Sequence, residues 1–448
     1  MVAKKPRAVI VPFGYWGYPD EVIDRLEKDS QEMIRSLDID VTTVDRVSDW
    51  DGAKRTAAEI GRHECDFIIV LIISWLDIEN MAETLQEHFH KPILLWTHTM
   101  FRENNEKLTV GPMAAAGVLR ETFEELDLKF KFVWGMPQEK RVQEAIKCHA
   151  SVLAAATRLK HSKIGLLGYG SMGMYTAFFD HLSLKRDIGP EIEQLDQYVM
   201  IKRIEEMQDQ RVKDSLDKVR SEWEIADDVK EADLQTSLKM YQSLKDLVRE
   251  FGWSALTIKC QYELSKIYKH TPCVPLSLLG GEIPCSCEGD IPLITTQLIM
   301  HYLSAGKPST YCDLTDLTEK YIVCAACGFA PFTMGEGKPK VGKKTEAIYE
   351  GIANCNTSYQ EGQVTVARLA YTRDRTYKMH IAGGMARHAE PFREYGCLPY
   401  PSMEIVLDGS MEHFGQHMMS QHYAIMFGDY RKELSEFCRL MGIREVRS

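Results

Sequence analysis

Apolar runs of strand length alternate with helical patterns through the first third of the chain, and this alternation limits the fold more than any single residue does. Ala8–Phe13, Phe67–Ile73, Pro92–Trp96 and Phe130–Trp134 read as strands. Between them, helical patterns run around Glu21–Ser36, Ile78–Glu87 and Val142–Leu159. Strands separated by helices predict a parallel sheet with helices on its faces.

A second unit of the same kind opens at Lys163-Ile-Gly-Leu-Leu-Gly168. It carries a long charged helical stretch, Lys202–Phe251, broken near Ala226, and then the strand Ala255–Lys259. The turn at Gly280-Gly281 leads on to a helix over Pro292–Ala305. The last third differs: Val364–Tyr371 and Lys378–Ala382 predict antiparallel strands around the charged turn Thr372–Arg375. The expected fold is α/β, with two Rossmann-like parallel-sheet domains (1–161 and 162–305) followed by a β-rich C-terminal domain (306–448). A chain of 448 residues exceeds what one hydrophobic core usually supports.

The net charge of −11 disfavours a broad nucleic-acid or anionic-membrane surface. No apolar stretch approaches the roughly 20 residues that span a bilayer. The N-terminus runs straight into a strand without an apolar leader, so a cytoplasmic protein is expected. Twelve cysteines in so long a chain make no disulfide framework, and a reducing compartment suits them. Cys285-Ser-Cys287 and Cys324-Ala-Ala-Cys327 lack the paired knuckles of a structural zinc module and read as buried small hydrophobes.

Chemistry concentrates in two acidic segments and one distant histidine. Cys287-Glu288-Gly289-Asp290 and Tyr311-Cys312-Asp313 each place a carboxylate at an expected strand end, and Gln421-His422-Tyr423 opens a buried strand. Two carboxylates and an imidazole form a ligand set for Mn²⁺ or Mg²⁺ with positions left open for a substrate. Each has a plainer reading as well. Glu288 or Asp290 suits the N-cap of the following helix, Asp313 suits a turn, and a single histidine in an apolar run is commonly a satisfied core residue. His413 and His417 share one helical face and read as surface residues.

A glycine motif competes for attention. Gly168-Tyr-Gly170-Ser-Met-Gly173 fits GxGxxG, follows a strand and precedes an expected helix, the setting for a dinucleotide pyrophosphate. The acidic residue that should end a second strand is not evident, because Leu184–Glu191 reads as a loop. The turn then shapes a cleft wall or approaches a small polar ligand.

The stretch from Ile258 to Asp313, with the C-terminal segment, resembles the L-fucose isomerase and L-arabinose isomerase superfamily. Ile258-Lys-Cys-Gln261 resembles that family's strand with a substrate-contacting glutamine, and Cys287–Asp290 its segment with the first metal carboxylate. Pro308-Ser-Thr-Tyr-Cys-Asp313 resembles the second, and Gln421–Asp429 the terminal metal histidine with its strand. The resemblance implies Glu288, Asp313 and His422 as metal ligands, for Mn²⁺ or another divalent cation such as Mg²⁺ or Co²⁺. Asp290 is then a neighbouring cap or supporting group. Arabinose isomerases have a further histidine ligand where this chain has Ala325-Ala326-Cys327-Gly328, which favours the three-ligand, fucose-isomerase-like arrangement.

The resemblance further implies an aldose–ketose isomerase acting on a monosaccharide through an enediolate. Glu288 and Asp313 serve as ligands and as the acid/base pair. Gln261, Lys259 and Tyr169 are candidate sugar contacts, and Tyr15, Trp16 and Trp96 candidate stacking residues. A homo-oligomer with sites near subunit interfaces is also implied. The basic residues Lys338, Lys340, Lys343 and Lys344, with Arg373, Arg375 and Arg387, are candidates for holding an acidic substituent or are simply solvated. L-fucose-like sugars, pentoses and an acidic hexose such as sulfoquinovose all fit. The rival readings are a non-catalytic sugar-binding protein of this fold and an NAD(P)-dependent oxidoreductase using the glycine turn.

Overall fold

A computed structural model describes residues 5–170, 173–345 and 349–448. The chain divides into two compact units, one ending at Arg158 and the other running from Leu159 to Ser448. The first unit is built on strands β1 (Arg7–Phe13), β2 (Asp40–Thr43), β3 (Phe67–Ile72) and β4 (Ile93–Thr97), a short hairpin of β5 (Phe101–Glu103) and β6 (Glu106–Leu108), and β7 (Phe130–Trp134). Its main sheet is parallel, in the order β2-β1-β3-β4-β7. Helices α1 (Asp20–Arg35), α2 (Trp50–Ile60), α3 (Ile78–Leu85) and α4 (Pro112–Glu125) make the crossovers, and α5 (Lys140–Lys160) follows β7. Every residue of β3 is buried, as central parallel strands require. β2 and α2 escape sequence patterning because β2 is a four-residue edge strand with alternating exposure.

The second unit opens with β8 (Lys163–Leu167), α6 (His181–Asp187) and β9 (Glu191–Leu195). Leu184–Glu191, expected as a loop, therefore holds the end of a helix and the start of a strand parallel to β8. β9 is an edge strand in which Ile192 is buried and Glu191 and Gln194 face solvent, so it lacks the apolar run that marks a central strand. α7 (Gln197–Glu206), α8 (Lys213–Glu222), the two-residue β10 (Glu224–Ile225) and α9 (Glu231–Phe251) come next. β11 (Ala255–Ile258), α10 (Cys273–Leu279) and β12 (Cys285–Cys287) complete a parallel sheet in the order β12-β11-β8-β9. Gly165 of β8 leaves room for the Trp253 ring, whose Nε1 donates to Glu193 at 2.8 Å.

Helix α11 (Ile291–Leu303) is apolar on every side and buried from Ile291 through Met300. A helix hydrophobic all round must be covered all round. It packs on β11 and β12 on one side and on the C-terminal strands on the other. Those strands are β13 (Thr310–Leu317), β14 (Ile322–Ala325), β17 (Gly362–Tyr371), β18 (Tyr377–Arg387), β19 (Ser402–Leu407) and β20 (His422–Phe427), with β15 (Lys340–Lys344) and β16 (Gly351–Asn354) lying outside them. The order β17-β20-β13-β14-β19-β18, with β18 pairing back onto β17, closes an antiparallel barrel. Closure removes free strand edges. Helices α12 (Met411–Gln416) and α13 (Arg431–Met441) and the last strand β21 (Arg444–Arg447), parallel to β18, finish the chain.

The segment Gly335–Lys344, whose lysines read either as anion contacts or as solvated charge, ends in β15, which pairs with β10 and β16. Val341 and Lys344 are buried there, and Lys343 pairs with Asp233 at 2.7 Å. The charges read as solvated in the sequence because their partners lie far away in the chain. Trp96, a candidate stacking residue, is core: its ring is buried and its Nε1 donates to the Gly135 carbonyl.

Gly165→Ala is expected to lower the thermal unfolding midpoint, at a cost of about 1–3 kcal/mol, because its methyl would overlap the pinned Trp253 ring. Circular dichroism checks this, and an unchanged midpoint would mean that the ring relaxes freely.

Candidate functional site

The site grows out of one strand-to-helix turn. After β12 the chain must reverse into α11, and it does so through two successive left-handed residues, Glu288 (φ +70°) and Gly289 (φ +66°). Glycine adopts this conformation without penalty; glutamate does not, and such strain is typically ~1–3 kcal/mol. Asp290 then caps the helix, accepting from Leu293 N at 3.0 Å. The turn brings the Glu288 carboxylate, nearly buried, to the start of α11.

The barrel supplies the other two residues through strand register. β13 and β20 pair antiparallel with Asp313 directly opposite His422. On its other side Asp313 faces Ala325 of β14, within the segment where a further histidine is absent. Asp313 thus lies within an eight-residue strand and not at its end, a correction to the sequence expectation. The strand continues because β13 is paired on both sides for barrel closure.

These three side chains meet at one atom. His422 Nε2 lies 3.1 Å from Asp313 Oδ1 and 3.5 Å from Glu288 Oε2. The ring is fully buried, and Nε2 has no hydrogen-bond partner of good geometry. Its other nitrogen, Nδ1, is 3.0 Å from Asp290 Oδ2. A carboxylate only accepts, so Nδ1 carries the hydrogen and the Nε2 lone pair faces the two carboxylates. Three electron-rich groups aimed at one another repel unless a proton or a cation stands between them. Burial disfavours the charged ring, but the neighbouring Asp290, Asp313 and Glu288 carboxylates outweigh it and push the pKa well above the usual histidine range.

Asp290 is the residue that sequence reasoning placed least firmly. It is fully buried, and its Oδ2 also accepts from Arg368 Nη1 at 2.8 Å. Burial opposes its ionisation, yet the Arg368 charge and the His422 hydrogen bond hold its pKa down at about 2. Arg368, on β17 and equally buried, donates its Nη2 to the Thr176 carbonyl at 2.8 Å. The position of Asp290, two residues after Glu288 and before an apolar helix, was the available signal.

The glycine motif has a local explanation. Of Gly168–Gly173, Ser171 and Met172 lie outside the described residues. Among the described residues no helix begins at Gly173; a 3₁₀ turn, Tyr175–Ala177, comes after it, and α6 begins at His181. A Cβ on Gly289 would lie 2.6 Å from the Tyr169 carbonyl, and one on Gly170 3.2 Å from the Gly289 carbonyl. The glycines let two backbones touch, so the turn buttresses the Glu288 loop.

The remaining predicted residues line the end of β11. Gln261 donates to the Tyr349 hydroxyl at 2.5 Å. Lys259 is fully buried and pairs with Glu263, its Nζ 4.4 Å from the Tyr169 ring centroid. Cys260 Sγ, Cys287 Sγ and a Glu288 oxygen also lie within 4.8 Å of one another. The Cys260 hydrogen bond and burial push the Cys287 thiol far up, so it stays protonated and offers a metal little. All twelve cysteines are unpaired as disulfides. Arg387 pairs with Glu404, and Lys344 is surrounded by Cys273, Cys327 and the Tyr349 ring. No described helix is long and apolar enough to cross a membrane.

Among known proteins, curated sulfoquinovose isomerases match almost end to end. That of Alkalicoccus urumqiensis is 20% identical over 443 residues, covering 97% of this chain and 98% of its own. That of Priestia aryabhattai is 22% identical over 449 residues, covering 97% of each. A third, from Clostridium sp. (strain MSTE9), is 22% identical over 386 residues, covering 82% of this chain and 83% of its own. The chain is an isomerase. No family model matches it.

Asp290→Asn should destabilise this isomerase by about 3–5 kcal/mol, since it leaves the Arg368 guanidinium buried without its charge partner. Adding Arg368→Met should recover part of that loss in urea unfolding, and strictly additive costs would refute the coupling. With its folded pKa depressed, Asp290 contributes stability fully present above its ordinary value of 3.8 and lost as pH falls through about 2.

Proposed function

We propose that this isomerase interconverts the aldose and ketose forms of a monosaccharide, with sulfoquinovose as the substrate that the relatives favour. In this reading Glu288, Asp313 and His422 hold a divalent cation, Mn²⁺ with Mg²⁺ or Co²⁺ as alternatives. The observation that carries it is the buried His422 Nε2, turned by Asp290 toward two carboxylates and left without a hydrogen-bond donor. One imidazole nitrogen with two carboxylates suits a hard or borderline cation, and the Asp290 hydrogen bond fixes the ring as metal-binding histidines require. When bound, the cation supplies Lewis-acid stabilisation of the charge developing on the substrate oxygens and holds them in one plane.

The chain's own residues do the rest. The reaction takes a proton from C2, returns it to C1 and shifts hydrogen between the two oxygens. Glu288, nearly buried, and Asp313, a third exposed, flank the same nitrogen and form the acid/base pair. Gln261, which follows the Cys260 that lies by Glu288, orients a sugar hydroxyl in this reading, with its amide steered by Tyr349. The molecule is read as a homo-oligomer with sites near subunit interfaces, a view supported by exposed apolar side chains on the first unit, Trp16 and Met100 among them.

Chelator-stripped protein should convert sulfoquinovose to its ketose only after Mn²⁺ is restored, as followed by proton NMR. Conversion at full rate without metal would remove the cation from the reading, and no conversion of any aldose would remove the reaction. Glu288→Gln and Asp313→Asn should each lower kcat by about 10²–10⁴-fold. Light scattering should find more than one chain per particle, and a monomer would rule out shared sites.

Since the carboxylates around His422 raise its pKa and a cation would need its nitrogen deprotonated, Mn²⁺ binding should release protons and tighten as pH rises. Calorimetry in two buffers of different ionisation enthalpy reads the number released directly. A value near zero would exclude His422 as a ligand.

A further inference from the structure

The segment joining β11 to α10 is more distorted than its length requires. Tyr262 has φ +64° and ψ −93°, Lys269 has φ +61°, and a π-helical turn spans Glu263–Ile267 between them. Non-glycine residues in such conformations cluster where binding geometry is stored. Here the distortion points the chain's own carboxylate at a buried lysine. The Glu263 carboxylate pairs with Lys259 Nζ and accepts from the Tyr169 hydroxyl at 3.2 Å. The ammonium also lies 4.4 Å from the Tyr169 ring centroid and 4.8 Å from that of Tyr262.

Three features make this an anion slot and not an ordinary surface ion pair. Lys259 is fully buried, while Glu263 is half-exposed and Tyr169 and Tyr262 are half-exposed at the rim. The cation is therefore built in, and the anion is the replaceable partner. The Lys259 backbone is fixed as well, since Gln197 donates to its carbonyl and Gly168 packs against its Cβ. The slot also adjoins the reactive groups: the Tyr169 carbonyl lies against Gly289, the residue after Glu288. Lys344, also fully buried, instead directs its ammonium to the Cys327 carbonyl and thiol.

We propose that Lys259, with Tyr169 and Tyr262, forms the subsite for an anionic oxygen-rich substituent of the sugar, a sulfonate on the reading above, and that Glu263 occupies it when no substrate is bound. A sulfonate presents oxygens to one ammonium and one hydroxyl much as a carboxylate does, and charge-assisted bonds of this kind are strong when buried. Glu263 holds the lysine in place and screens its charge until substrate arrives, so uncharged sugars gain nothing by displacing it.

The inference rests on the sugar-isomerase reading, and two readouts separate them. Turnover of sulfoquinovose and of its uncharged analogue 6-deoxyglucose tests the reaction, whereas calorimetric binding of sulfoquinovose to metal-free protein tests the subsite. Lys259→Met should lower the preference for the sulfonated over the uncharged sugar by about 10–100-fold, the scale of one charge-assisted bond. Glu263→Gln should raise that preference and tighten sulfoquinovose binding several-fold, because the internal competitor is gone. Binding weakened by Lys259→Met without turnover in the parent would uphold the subsite and sink the reaction. Equal losses for both sugars in Lys259→Met, or weaker sulfoquinovose binding in Glu263→Gln, would overturn the subsite.

Discussion

One buried carboxylate holds this architecture together. Asp290 caps α11, receives the Arg368 guanidinium from the barrel and fixes the Nδ1 hydrogen of His422. Burying a charge is costly, and Asp290 is tolerable only because all three partners are present together. The same contacts join the parallel sheet, through the turn after β12, to the barrel strands β17 and β20. Stability and chemistry thus share one residue: the interaction that orients the imidazole also compensates the deepest ion pair around it.

The remaining structure is arranged around that point in layers. α11 is apolar on all faces because both sheets need a surface to pack on, and even its Thr296 serves the packing: the hydroxyl accepts from Leu369 N of β17 at 2.9 Å. Glu288 bears left-handed strain so that its carboxylate reaches His422, and Gly170 and Gly289 let the neighbouring loops touch behind it. A motif with the outline of a dinucleotide fingerprint is here a device for bringing two backbones together. Its spacing alone carried no information about that difference, which depends on whether a helix begins at the last glycine.

Much of the architecture was legible because its signals are local. Strands β1, β3 and β4 of the first unit are near-continuous apolar runs, the hairpin of β17 and β18 has a charged turn, and α11 has an acid at its N-cap and a proline in its first turn. The illegible parts depended on distant partners. β9 is half-solvated and shows too little apolar pattern. Lys344 reads as surface charge until the thiols around it are known. Asp290 looked like a helix cap, which it is, and nothing nearby announced Arg368 or His422, 78 and 132 residues away. Asp313 and His422 stood out by residue chemistry and by resemblance, but not as cross-strand neighbours, since register between strands that far apart leaves no periodic trace.

That register has an evolutionary corollary. Side chains alternate between the two faces of a strand, so inserting or deleting one residue in β13 or β20 would send Asp313 or His422 to the opposite face of the barrel wall. No compensating substitution restores such a pair, whereas the Thr372–Thr376 turn can change length without touching it. Substitutions along these strands leave that pair in place, whereas a change of length before it does not. Insertions and deletions in this chain should therefore be tolerated in its turns and not within β13 or β20 ahead of the pair.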